Sequence, residues 1–174
     1  MKMREHIEDG LKPLLGRRLW GSRRAADMEM FHFGERVPTT DSGGKRVEVG
    51  EYALHVQCAW RIVGPGGIFV GSGDAYEPPD GLTEASRPEF DWEKGNRRDE
   101  RMQHFLAIEH PEGLLVESIS ADDVGGFGLD LNGKFQLEVF PHDSLPDEYW
   151  RLLRPGVDKA HFVVKGSAVE EFWT

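Results

Sequence analysis

Apolar and polar residues alternate most clearly over residues 52–63, where Leu54, Val56, Cys58, Trp60 and Ile62 interleave with His55, Gln57 and Arg61. Period-two alternation of this length predicts one long β-strand with a buried face and a solvated face. Gly64-Pro65-Gly66-Gly67 then turns the chain into the short apolar run Ile68-Phe69-Val70, closing a hairpin. In the second half Phe127, Leu129 and Leu131 alternate, Asn132-Gly133 turns the chain, and Phe135, Leu137 and Val139 alternate again. A two-residue Asn-Gly loop would set Leu131 against Lys134 and Leu129 against Gln136, mixing polar and apolar partners on one face. A three-residue loop of 131–133, with Gly133 in the left-handed conformation, keeps that face apolar. It predicts Leu129 opposite Phe135 and Phe127 opposite Leu137.

Helical signals are fewer. Residues 96–108 read as a single amphipathic helix, with Asn96 as N-cap, Asp99 near the first turn and Met102, Phe105 and Leu106 on one face. Near the start Ile7, Leu11, Leu14 and Leu15 have helical spacing, but Asp9-Gly10 and Pro13 interrupt it, which predicts one or two short turns. Residues 77–95 carry Pro78-Pro79, Asp80-Gly81 and Pro88 and read as a long irregular connection.

Three blocks recur in the same order in both halves. Asp27 through Gly34 answers Asp123 through Gly133, an acid followed by alternating apolar residues and a glycine. Tyr52 to Val56 leading to Trp60-Arg61-Ile62 answers Phe135 to Val139 leading to Trp150-Arg151-Leu152. Ile68-Phe69-Val70-Gly71-Ser72 answers Phe162-Val163-Val164-Lys165-Gly166-Ser167. Tryptophan is rare enough, at five in the chain, for a repeated Trp-Arg pair to weigh in favour of duplication. Around 148–153 there is a competing signal, since Ser144 to Asp147 resembles a capping box ahead of a helix; the repeat favours a strand. The expected fold is therefore α+β, mainly antiparallel β: two pseudo-repeated units (about 16–75 and 114–174) forming a sandwich or paired sheets. A connection with one amphipathic helix (about 76–110) separates them, all within a single domain of residues 1–174.

Length, charge and cysteine usage narrow the class. A chain of 174 residues can bury a core without disulfides or metal, and its single cysteine, Cys58, permits no intrachain disulfide. A reducing, cytoplasmic compartment is expected. The first ten residues lack the apolar core of a secretory leader, and no stretch has the roughly 20 apolar residues of a spanning helix, so no membrane is expected. The net charge of −10 opposes binding to a phosphate backbone, which argues against nucleic acid and is compatible with a basic protein partner. Nothing in the pattern fixes an oligomeric state.

The segments around Tyr52 to Arg61, Leu137 to Pro141 with Glu148 to Leu153, and His161 to Gly166 resemble a group of small bacterial proteins classed as domains of unknown function. Comparable small domains sometimes act as immunity proteins against secreted toxins. That resemblance implies a non-enzymatic binding protein, plausibly an inhibitor of a basic partner, and assigns no catalytic residue.

Candidate chemistry is sparse. His55, Gln57 and Arg61 share the polar face of the best strand and can bind an anion or a carboxylate, although polar-out alternation on a solvated sheet face already explains them. With Asp74, Trp92 and Arg151 they form the expected binding surface; the alternative function is a small-ligand-binding protein or an unrecognised hydrolase on that face. No His-x-x-x-His or His-Glu-x-x-His spacing points to a metal, and the Gly-rich turns lack a phosphate-loop or dinucleotide pattern, so no cofactor is expected. Glu29, Asp74, Asp122 and Asp123 are available for acid–base work without any sequence signal that pairs them. Cys58 falls on the apolar face, where an inert thiol is expected.

Overall fold

The buried pattern of the chain is met by a sheet that curls over on itself. The computed structural model describes residues 2–83, 85–158, 161–166 and 168–172. Eleven strands are found among them: β1 (Arg18–Ala25), β2 (Met28–Thr40), β3 (Arg46–Val56), β4 (Ala59–Gly64), β5 (Gly67–Gly71), β6 (Leu114–Ala121), β7 (Phe127–Leu131), β8 (Phe135–Phe140), β9 (Glu148–Leu153), β10 (His161–Lys165) and β11 (Ala168–Phe172). They form one antiparallel sheet in the order β11-β10-β9-β3-β2-β1-β6-β7-β8-β4-β5. Two short helices, α1 (Met3–Leu11) and α2 (Arg97–Gln103), complete an α+β fold. No helix among the described residues is long and apolar enough to cross a membrane.

β2 and β4 stand far apart in the strand order, yet the Phe31 and Trp60 rings meet edge-to-face at 5.1 Å. Phe127 of β7 likewise meets Trp150 of β9 at 4.7 Å. The inward residues of both ends of the sheet therefore share one core, running from Ile7 and Leu11 to Phe162 and Val164.

Several expectations are corrected. The single strand over 52–63 is two strands with different neighbours, β3 pairing with β9 and β4 with β8. The break falls at Gln57 and Cys58, whose backbone N–H groups both donate to the Tyr149 carbonyl, at 2.8 and 3.2 Å. Leu54, Val56, Cys58, Trp60 and Ile62 are all buried, so the alternation marked the face correctly across the break. In the β7–β8 hairpin the loop is 132–134, with Gly133 and Lys134 both at positive φ, and Leu129 faces Leu137 while Phe127 faces Val139. The expected register is therefore off by two residues, a shift that leaves every side chain on its own face. Residues 148–153 form a strand, β9, as the repeat favoured.

There are two helices where one was expected. Asp9-Gly10 does not end α1, because Gly10 is the place where the Phe162 ring rests on the helix: a Cβ there would lie 2.3 Å from Phe162 Cε2. A 3-10 turn at Lys12–Leu14 accommodates Pro13. The described residues of the 77–95 connection are irregular apart from hydrogen-bonded turns and a 3-10 turn at Arg87–Glu89. Ser167, the end of the third repeated block, lies outside the described residues.

β2 and β3 outrun their other neighbours. Beyond Phe33 they pair only with each other among the described residues, from Arg36 opposite Gly50 to Thr40 opposite Arg46, and form a largely exposed two-stranded arm.

Candidate functional site: a cleft beside the second helix

Asn96 starts α2 as a true N-cap, its side-chain oxygen accepting from the Asp99 N–H at 3.0 Å. After Gln103 the helix widens into a π-helical turn, His104–Glu109, in which the His110 N–H reaches the Phe105 carbonyl at 3.0 Å. Such turns recur at functional sites. Phe105 wedges this turn against Phe69 of β5 and Phe135 of β8, both 5.0 Å away.

A buried ion pair fixes α2 to the sheet. Glu29 shares the inward face of β2 with Phe31 and Phe33 and is 2% exposed; Arg98, 5% exposed, meets it with a two-pronged contact and also donates to Ser22 Oγ at 2.7 Å. Desolvation lowers the Arg98 pKa to about 10, leaving it cationic at neutral pH. Asp99 accepts from Arg98 at 3.1 Å and from Arg24 at 2.8 and 2.9 Å. Burial alone would raise the Asp99 carboxyl, but the Arg24 and Arg98 guanidiniums outweigh it and hold it low.

Beside this network lies a cavity of about 430 Å³, within the usual range of small-molecule sites. Trp20, Ser22 and Arg36 line it from the sheet side, and Met102, Gln103 and Leu106 from the helix side. Trp20 is held in a stack, with His32 at 5.5 Å on one side and the Arg36 guanidinium 4.1 Å from its ring. A second cavity, of about 590 Å³ and lined by Arg23, Arg24 and Glu93, shares Arg98 and Asp99 with the first.

The residues singled out in the sequence fall into three places. His55, Gln57 and Arg151 meet around Glu148: Gln57 donates to it at 3.3 Å, Arg151 at 2.6 Å, and His55 stands opposite Arg151 across β3 and β9. Burial and then Arg151 push the His55 pKa down, while the bond to Glu148 pushes that of Arg151 up. Arg61 lies at the other end of the strand order, paired with Glu138 and packed 5.4 Å from the Phe140 ring, over a shallow cavity of about 360 Å³. Asp74 and Trp92 both hold the start of α2. Asp74 contacts Arg97 at 3.4 Å, and the Trp92 carbonyl accepts from Asn96 at 3.0 Å and from Arg24 at 3.1 Å.

Trp20, Arg36 and Arg98 carry no motif and were not singled out. The one available signal was Glu29, a charge in register with Phe31 and Phe33 on an apolar face, which demands a buried cation. The acids considered for acid–base chemistry do not pair with one another: Glu29 is bound to Arg98, Asp74 caps Gly71, and Asp122 accepts from Val124 and Gly126. Burial raises the Cys58 thiol to about 12, far from a reactive thiolate. Comparison of the chain with family models, with curated proteins and with solved structures returned no match in any of the three.

Proposed function

We propose that this chain is a duplicated, non-enzymatic binding protein whose small-molecule site is the cleft between β1, the base of the β2–β3 arm and α2. The duplication reading, paired sheets built from two copies of one unit, draws support from strand order. Exchanging β1–β5 with β6–β10 turns the order from β10 to β5 into itself read backwards. The registers follow the same exchange. Val56 faces Trp150 as Val139 faces Trp60, Leu54 faces Leu152 as Leu137 faces Ile62, and His55 faces Arg151 as Glu138 faces Arg61. Both first hairpins carry an irregularity at the same place, between Leu19 and Gly21 and between Val116 and Ser118. In this register Val70 answers Phe162, two residues before the Val164 of the motif match.

The binding reading rests on one observation: the places where the two copies part company converge on a single cleft. Copy one extends its β2–β3 hairpin into an arm, where copy two has the tight turn 132–134; the base of that arm supplies Arg36. Copy one has Glu29 where copy two has Phe127, and Glu29 anchors Arg98. The helix that leads into copy two carries the π-helical turn that lines the cleft with Leu106 and Ala107, where the helix leading into copy one ends in a 3-10 turn. A thermal-shift screen of small organic molecules tests this: binders should raise the melting temperature of the wild type and lose their effect in Ala107→Trp, which fills the cleft from an exposed wall position. Binders that stabilise both proteins equally overturn the assignment.

A second reading, an immunity-like inhibitor that masks a basic protein partner, is favoured by the net charge of −10. It requires salt-sensitive binding of a basic protein, and no binding at low salt would remove it.

A further inference from the structure

We infer that the cleft takes a small amphipathic organic acid, with its carboxylate at Arg36 and its apolar body along Met102, Leu106 and Ala107. This rests on the cleft being the binding site. The polar groups of the wall divide into those already engaged and those with donors to spare. Arg98 gives four of its five N–H groups to Glu29, Ser22 and Asp99. Asp99, the one acid of the lining, accepts three hydrogen bonds from Arg24 and Arg98, so two guanidiniums already offset its charge.

What remains has donors to spare, Gln103 offering an acceptor oxygen as well. Arg36 is stacked on Trp20, and its carboxylate contact among the described residues is Glu48 at 3.8 Å, on the arm itself. No hydrogen bond engages the Gln103 amide among the described residues, and Ser22, which accepts from Arg98, keeps its own hydroxyl proton. The rest of the lining is Trp20, Gly21, Met102, Leu106, Ala107 and Pro111. A guanidinium that packs over an indole keeps its N–H groups for a partner in its own plane, and a carboxylate can take two of them in parallel. A cationic head group would meet the like charge of Arg36, and the acids nearest it, Glu48 and Asp99, already face guanidiniums.

Calorimetric titration with hexanoate, octanoate and decanoate, beside octanol and octylamine, tests the assignment on the wild type, Arg36→Gln and Ala107→Trp. The carboxylates should bind and octylamine should not. Arg36→Gln should weaken octanoate about tenfold or more while leaving octanol unchanged, the scale of one lost charge-assisted hydrogen bond, and Ala107→Trp should abolish both. Octylamine binding as tightly as octanoate, an unchanged octanoate affinity in Arg36→Gln, or no carboxylate binding at all overturns the organic-acid assignment. Ligands that still bind with full affinity in Ala107→Trp overturn the cleft itself, which separates the two failures.

Discussion

His32 is covered by its neighbours: its ring stacks on Trp20, and its Nδ1 accepts the Gly50 N–H at 3.1 Å. The neutral ring therefore carries its proton on Nε2. Burial, then Arg23 and His55, pushes its pKa from 6.5 down to about 4. As pH falls below about 6.5 the unfolded chain takes up a proton that the folded ring refuses, so stability is full above that value, drains toward pH 4 and levels off below it. At roughly 1.4 kcal/mol per unit the loss is about 3 kcal/mol. Urea unfolding at pH 7.5 and at pH 4.5 should show most of this loss in the wild type and a smaller one in His32→Gln; an identical pH dependence in the two proteins would contradict it. In the sequence His32 is only a polar position inside the alternating block from Asp27 to Gly34. Alternation tells which face a residue takes, but not that Trp20 of the neighbouring strand will cover a nominally solvated position.

Among the elements, α2 was the most legible and the least understood from sequence. Asn96, Met102, Phe105 and Leu106 do what their spacing implies, but the force that fixes the helix is the Glu29–Arg98 pair, joining residues 69 apart. Removing one partner of a buried pair strands the other charge, at a cost of about 3–5 kcal/mol, while replacing both by apolar side chains is often neutral. Arg98→Met should therefore destabilise by that amount in urea unfolding, and adding Glu29→Leu, which restores an apolar residue beside Phe31, should recover most of it. A single variant near wild-type stability, or a double variant no better than the single, would show that the pair is not what anchors α2. The strand patterns illustrate a different limit. Pairing Leu129 with Phe135 or with Leu137 satisfies the apolar face equally, and the choice was made by Lys134 accepting a positive φ, which its sequence does not announce.

At the scale of the molecule, alternation marked the buried faces, but the long-range partners of β3 and β4, strands β9 and β8, lie 94–100 and 73–81 residues away, and no local pattern encodes them. For the same reason His55 and Arg61, neighbours in one expected strand, end on different parts of the sheet, one beside Arg151 and the other beside Glu138. Cleft residues from β1, the arm and α2 meet only because the sheet order brings β1 to the middle. Trp20 is the reporter at that junction. The most direct test of the cleft as binding site is two-dimensional NMR of the labelled protein titrated with a ligand found in the thermal screen, following the indole N–H signals of the five tryptophans and the backbone amides. The account predicts shifts at the Trp20 indole and at the amides of Gln103, Leu106 and Ala107, with Trp60 and Trp150 unmoved in the core. Shifts confined to Arg61, Gln136 and Glu138, or to His55, Gln57 and Arg151, with Trp20 unchanged, would contradict it.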